Sequence, residues 1–485
     1  MRPALSRLIR IITAIYDFGA LSPALKKLGE KTINMKLFIS GFLALIMTPL
    51  VFAQSATVTW TTTYQTIDGF GASTGYQERN PNLSAAQADC FFSVTNGSCA
   101  SGSSIGLEWI RIQDSESGTN TPDLTTLQLA VARGAKVFIS FDFGSGGAPN
   151  NFASMTAYIV AKIQYLNSNG APVAYLSPAN EPSTSLWTAG EFDQFISTSL
   201  VPGLVAANLS VPIVLGEDVH WFKNDWVTPC MNDSNCSSHV PVVAGHIYGS
   251  STIDGFPGGF LCCATYASTP VPSSAAAKRV WMTEANGGFS GPCASDSGLA
   301  NYDPSMADAL IYAHNIHDFL TVVGGSAWMY WNLQAESVWG PPNCNDGITD
   351  SNFNPAQRFY AIGNWSKFVR SGWVRIDATA SPASGIYVTA FKETSSGNFA
   401  IVAINKNSSA GNVSFSLSGF PSVTTVTPTL TSASVNLVDQ ANVAVSSGAF
   451  SYSLPASSVT TFRGAASSTS SSNPNPPTSL TLIVK

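Results

Sequence analysis

Two glutamates are placed to do chemistry together. Glu181 follows a short apolar run in Tyr175-Leu176-Ser177-Pro178-Ala179-Asn180-Glu181-Pro182, and Glu284 ends another in Val280-Trp281-Met282-Thr283-Glu284. Two carboxyl groups converging on one point can cleave a glycosidic bond, one protonating the leaving oxygen and the other attacking the anomeric carbon. The two roles need different pKa values, which different surroundings can supply. Nearby residue types suit the same chemistry. Asn180 offers an amide to a sugar 2-hydroxyl, and Tyr248, in His246-Ile247-Tyr248-Gly249, can donate its phenol to Glu284 and hold it ionised. Trp331, in Trp328-Met329-Tyr330-Trp331-Asn332, offers a flat floor for a pyranose ring. Trp109 and His246 complete the expected substrate-binding set, and Arg111 with Glu217 forms an expected supporting ion pair. Each signal is weak alone: Asn-Glu-Pro recurs by chance, a strand-end glutamate is often a salt-bridge partner, and tryptophan pairs are usually core. Their order is what carries weight, with Asn-Glu-Pro, His-x-Tyr-Gly and Trp-x-Thr-Glu each at the end of a separate apolar run.

The elements that must position these residues follow from hydrophobic periodicity. Short β-rich runs at Gly69–Ala72, Leu107–Ile112, Val137–Phe141, Val173–Leu176, Val211–Leu215, Val240–Ile247, Val280–Met282 and Ala327–Trp331 alternate with helical stretches such as Met155–Leu166, Ala189–Leu200 and Asp303–Leu320. Eight such alternations predict an α/β fold, a (β/α)8 TIM barrel, whose chemistry sits at the C-terminal strand ends. Glu181 and Glu284 then terminate strands four and seven, facing one another across the barrel mouth. The rival, a doubly wound open sheet, needs a glycine-rich phosphate turn, of which Asp68-Gly69-Phe70-Gly71 is only a fragment. After about residue 370 the period changes to two. Trp373–Asp377, Ile386–Lys392, Phe399–Asn405, Val413–Leu417, Thr424–Thr427 and Ser458–Phe462 predict a side-associated C-terminal antiparallel β-sandwich. An early strand at 58–67, with Val58, Trp60 and Tyr64 on one face, is expected to join it. The expected organisation is a mis-called start or leader extension at 1–34, a signal peptide at 35–53, an N-terminal sandwich strand at 54–66, the barrel at 67–368, the sandwich at 369–463 and a Ser/Pro/Asn-rich tail or linker at 464–485.

Met35-Lys36, the apolar run Leu37–Met47 and the small-residue end Val51-Phe52-Ala53 predict secretion, with cleavage near Ala53. Residues 1–53 hold seven of the 23 Lys+Arg and two of the 29 Asp+Glu, so the remainder carries 16 against 27, a net −11. Such acidity, with 11% charged residues overall and no basic patch, argues against nucleic acid. No second apolar run is long enough to span a membrane, so the mature form is expected to be free of the membrane and monomeric. Eight cysteines, all after residue 53, fit disulfides, with Cys90/Cys99 and Cys230/Cys236 spaced for local loops. No CxxC pair marks a metal site, and neither a metal nor a cofactor is expected.

With these residues in hand, the chain resembles glycoside hydrolase family 30 from about Tyr64 to Phe462. The resemblance rests on Ile67-Asp68-Gly69-Phe70-Gly71, Trp109-Ile110-Arg111-Ile112, Asn180-Glu181-Pro182, Trp281-Met282-Thr283-Glu284 and the inter-domain joint Phe368–Thr379. The joint and Val459-Thr460-Thr461-Phe462 are most similar to the bacterial xylanase branch. The resemblance implies Glu181 as acid/base, Glu284 as nucleophile, retention of configuration and a polysaccharide or oligosaccharide partner. The expected activity is endo-β-1,4-xylanase. The branch, however, grips a glucuronate with tyrosines after the nucleophile and an arginine after strand eight. Here Ala285-Asn286-Gly287 and Asn332-Leu333-Gln334-Ala335-Glu336 stand instead, so no strict glucuronate dependence is expected. The alternatives are β-1,6-galactanase, β-1,6-glucanase or glucosylceramidase-like activity, or a non-catalytic carbohydrate-binding protein on the same scaffold.

Overall fold

The computed structural model describes residues 54–75, 82–95, 99, 102–115, 124–143, 151–184, 187–247, 270–286, 302–335 and 347–466. The expected leader and signal peptide, nearly all of the tail, Tyr248, Glu336, Cys262, Cys263, Cys293 and Cys344 lie outside them.

A long first strand, β1 (Gln54–Thr66), precedes the eight barrel strands. These are β2 (Gly69–Ser73), β3 (Trp109–Ser115), β4 (Lys136–Asp142), β5 (Val173–Ser177), β6 (Val214–Asp218), β7 (Val242–His246), β8 (Arg279–Glu284) and β9 (Ala327–Tyr330). They pair in the order β5-β4-β3-β2-β9-β8-β7-β6. The ring closes where the Leu176 N–H donates to the Pro212 carbonyl at 3.1 Å. The expected helical stretches are present as Phe152–Ser168, as Ala189–Phe195 continued by a π turn through Leu200, and as Met306–Asp318 continued by a π turn at Phe319–Val323.

Alternation along each strand divides the apolar residues between two cores. Trp109, Phe138, Val214, Val242, Ala244, Trp281, Ala327 and Met329 pack together inside the barrel. Their sequence neighbours Ile110, Val137, Ile139, Val243, Val280 and Met282 join the larger core shared with the helices. Asp68 fixes the N-terminal floor of the barrel. Its carboxylate accepts from Arg279 at 2.6 Å, Trp281 Nε1 at 2.8 Å and Ser326 Oγ at 2.7 Å, while its carbonyl accepts from Trp109 Nε1 at 2.9 Å. The Asp68-Gly69 motif is therefore part of the barrel floor, with no phosphate-binding turn around it.

The second domain is built from β10 (Val374–Ala378), β11 (Ile386–Lys392), β12 (Asn398–Asn405), β13 (Gly411–Ser418), β14 (Thr425–Ser432), β15 (Val435–Asp439), β16 (Val443–Ala444), β17 (Ala449–Leu454) and β18 (Ser458–Ala465). β1 lies between β10 and β13, antiparallel to the first and parallel to the second. Strand β12 is buried on both faces: Phe399, Ile401 and Ala403 fill the sandwich core, and Ala400, Val402 and Ile404 join the barrel's helical layer. Across that seam Asn364 Nδ2 donates to Thr431 Oγ1 at 2.7 Å, and Thr461 Oγ1 donates to the Asn364 carbonyl at 2.8 Å. At the joint, Arg370 donates to the carbonyls of Gly106 and Ser366. It also pairs with Glu108 at 3.3 Å, which explains an arginine in that motif.

Tyr64 departs from expectation. Val58 is fully buried, but Tyr64 is 47% exposed. The β1–β10 register slips between Thr59 and Thr63 and again before Thr66. Each slip reverses the facing of the residues beyond it, so the two-residue period fails midway along β1. The pairs Cys90–Cys99 and Cys230–Cys236 are disulfide-bonded. Among the described residues no helix is long and apolar enough to cross a membrane.

Candidate active site

The C-terminal ends of five barrel strands deliver one buried cluster of charge. From β3, Arg111 points inward with no exposure. Its Nε meets Glu217 at 2.8 Å, its Nη1 meets Glu284 at 2.7 Å, and its Nη2 donates to Asn180 Oδ1 at 2.7 Å. From β7, His246 places Nδ1 2.9 Å from Glu181 and 3.4 Å from Glu284, with Nε2 3.5 Å from Glu217. A register shift between Gly245 and His246 sets His246 directly beside Glu284. One oxygen each of Glu181 and Glu284, with a His246 nitrogen, lie within 4.8 Å of one another.

Two of these glutamates sit in unusual backbone. Glu181 has φ +44° and Glu217 φ +49°, a region that costs a non-glycine residue of order 1–3 kcal/mol and collects at functional sites. The surroundings hold both: the Glu181 N–H donates to the Glu217 carbonyl at 3.0 Å, and the Asn180 N–H donates to the Phe141 carbonyl at 2.6 Å. Gly216 makes the turn into Glu217 possible. Its φ is +106°, and a Cβ there would lie 2.5 Å from the Ala244 carbonyl oxygen.

Burial and proximity set the charges. Burial alone would raise the Glu217 carboxyl, but the Arg111 charge and hydrogen bonds from His246 and Ser140 bring it down to about 2. Burial likewise opposes charge on His246, yet Glu284 and hydrogen bonds to Glu181 and Glu217 overcome it and raise the imidazole to about 10. Burial pushes Glu284 up to about 7 against the pull of Arg111 and His246, with Glu181 and Glu217 adding to the rise. The cluster thus sets three carboxyl groups against two cations, and it is neutral when the Glu181–Glu284 pair holds a single proton.

Of the expected site residues, Glu181, Glu284, Asn180, His246, Arg111 and Glu217 come together here. Trp331 stands at the edge, 6% exposed, with the Arg111 guanidinium 5.6 Å from its ring centroid. His246, expected to touch substrate, is fully buried between carboxylates. Its contacts orient the acids and leave it no open face for a sugar. Trp109 is a correction. It begins β3, at the opposite end of the strand from the site, and is 1% exposed. Its ring packs on Trp281 at 4.9 Å and Tyr175 at 5.6 Å, so it is barrel core and cannot bind substrate. Tyr248 lies outside the described residues. Ser140 is a site residue that the sequence reading missed: its hydroxyl donates to Glu217 Oε2 at 2.5 Å. The available signal was a lone hydroxyl inside the otherwise apolar run Val137-Phe138-Ile139-Ser140-Phe141.

A barrel carrying paired glutamates at the ends of strands four and seven, flanked by a β-sandwich, defines a glycoside hydrolase of the (β/α)8 type. The glycosyl hydrolase family 30 beta sandwich domain matches residues 372–462. Glucuronoxylanase XynC of Bacillus subtilis strain 168 is 28% identical over 462 residues, covering 89% of this chain and 98% of the relative. Among solved structures, the glycoside hydrolase family 30 subfamily 8 xylanase Xyn30A of Clostridium acetobutylicum aligns with TM-score 0.66 at 26% identity, covering 85% of this chain and all of that one. A family 30 endoxylanase of Clostridium papyrosolvens C71 aligns with TM-score 0.64 at 25% identity over the same shares. Together these matches support glycoside hydrolase family 30 as the family that this chain resembles.

Proposed function

We propose that the chain is an exported retaining β-glycanase, an endo-β-1,4-xylanase without strict dependence on glucuronate. The observation that carries the mechanism is the short span between Glu181 and Glu284. Oxygens within 4.8 Å suit direct attack on the anomeric carbon, whereas an inverting pair stands about 6.5–9.5 Å apart to admit a water. Arg111 contacts Glu284 directly, and its charge pulls against the burial that raises that carboxyl, which favours the ionised nucleophile. Glu284 then attacks the anomeric carbon while Glu181 protonates the departing oxygen. In the second half, Glu181 takes a proton from water as that water displaces Glu284. Asn180, held by Arg111, presents its amide nitrogen to the sugar 2-hydroxyl, and Trp331 floors the ring.

The names of the relatives support xylan as the substrate class. The reading departs from a glucuronate clamp because no arginine occurs between residues 332 and 357. The next one, Arg358, is fully buried, donates to the Gly347 and Asp303 carbonyls and pairs with Asp308. Export is supported by the Met35–Ala53 segment and by the two disulfides.

The test is product analysis on xylan, glucuronoxylan, β-1,6-galactan and β-1,6-glucan, with anomeric configuration followed by proton NMR. Retained β-products from xylan and glucuronoxylan alike, lost in Glu181→Gln and Glu284→Ala, are expected. Azide should restore turnover to Glu284→Ala with inverted product. Inverted product from the native chain would overturn the mechanism. Cleavage of a β-1,6-linked polymer alone would overturn the substrate.

A further inference from the structure

The proposed chemistry assigns work to Glu181 and Glu284 and leaves a third buried carboxylate unused. Glu217 has no exposure, and its side chain accepts from three different strands: Arg111 of β3 at 2.8 Å, Ser140 of β4 at 2.5 Å and His246 of β7 at 3.5 Å. Its carbonyl also receives the Glu181 N–H. With its oxygens taken by these donors, Glu217 cannot reach a sugar. A carboxylate kept only as a counterion for Arg111 would not need the second bond to His246, nor a positive φ to make it.

Consider what faces His246. Nδ1 lies between Glu181 and Glu284, Nε2 faces Glu217, and Arg111 pairs with Glu217 and Glu284. Ser140, which bonds Glu217, is uncharged, and Trp331 lies against Arg111 as an aromatic ring. Of the three acids around the imidazole, two change charge during the proposed reaction cycle, Glu181 by giving up and regaining a proton and Glu284 by bonding to the anomeric carbon and being released. Of these three, Glu217 is the one that stays ionised throughout, so it can hold the His246 charge steady while the other two change.

We propose that Glu217 is a positioning residue that acts through His246 and Arg111: by keeping both cationic and in place, it fixes how one proton is divided between Glu181 and Glu284, and with that the pH range of the enzyme. The inference rests on the two-carboxylate mechanism above, but its test does not require activity.

The experiment is a pH titration of the whole chain labelled with 15N-histidine, the His246 signal being assigned by its loss in His246→Gln. Native His246 should remain imidazolium through neutral pH. In Glu217→Gln its midpoint should fall by about 1–3 pH units, the usual effect of removing one close opposite charge. The alkaline limb of the kcat/KM profile should move to lower pH with it. Glu217→Asp, which keeps the charge but draws it back by one methylene, should give an intermediate fall. It stands in as the deciding variant if Glu217→Gln does not fold. A His246 midpoint indistinguishable from native in the folded variant would overturn the proposal, whatever happens to the rate. A chain that cleaves no glycan but shows the His246 shift would overturn the functional reading and leave this inference standing.

Discussion

Replacing Arg111 with glutamine tests the electrostatic logic of the site most directly. The guanidinium is fully buried and touches Glu217, Glu284 and Asn180, all within 2.8 Å. Glutamine keeps some polarity but removes the charge. The Glu217 carboxyl falls from an ordinary 4.5 to about 2, and Arg111 is the leading cause of that fall. At about 1.36 kcal/mol per pH unit this corresponds to about 3 kcal/mol of stability. It agrees with the roughly 3–5 kcal/mol usually lost when one partner of a buried ion pair is deleted. The direction with pH follows from the sign of the shift. A carboxyl depressed in the folded state contributes its full stability above pH 4.5, and the contribution disappears as pH falls through about 2. Arg111→Gln should therefore be most destabilised at neutral pH and converge on the native chain in acid. Chemical unfolding followed by tryptophan fluorescence, compared at neutral and acidic pH, measures this.

Activity should fall as well, because Arg111 is the cation in contact with Glu284. Removing one preorganised electrostatic partner of the reacting group costs about 100–1,000-fold in rate. With Arg111 gone, Glu284, already raised to about 7, should titrate higher still, so residual activity should shift to more alkaline pH. An Arg111→Gln variant within tenfold of native kcat/KM, with an unfolding free energy independent of pH relative to native, would refute the reasoning.

Two further outcomes separate barrel floor from barrel mouth. Asp68→Ala strips the acceptor from Arg279, Trp281 and Ser326, and should lower unfolding free energy by about 2–3 kcal/mol while leaving the kcat/KM of the folded protein near native. Trp109→Phe should cost about 1–3 kcal/mol of stability with KM unchanged, since the ring packs on Trp281 and Tyr175 and donates to the Asp68 carbonyl at the barrel floor. A raised KM in that variant would restore Trp109 to the substrate site.

How much of this was legible in the sequence depends on the range over which each signal acts. The barrel strands and the two glutamates were readable because apolar runs report burial locally and a strand end is a local event. The same reading placed Trp109 in the site by treating a barrel strand as one object. Arg111 and Trp109 share the inward face of β3, yet two residues of rise separate mouth from core, and only the position of the strand along the barrel axis tells them apart. Tyr64 failed for a related reason: alternation predicts facing only while the register holds, and the β1–β10 slips are set by the partner strand. Strand β15 was missed because it buries little, with Leu437 as its one fully covered side chain. The convergence of Ser140, Glu217 and His246 lay furthest from view. The bonded pairs among these residues and Arg111 are 29–106 positions apart, and no local pattern encodes the distance between strand ends. What the sequence did carry was a cost without an apparent return: a hydroxyl, two carboxylates and an imidazole at the inner ends of apolar strands, where burial penalises each unless another answers it. Polar residues in such positions have to be answering one another, so a lone serine or histidine in a barrel strand is best read as one member of a set whose partners lie on other strands.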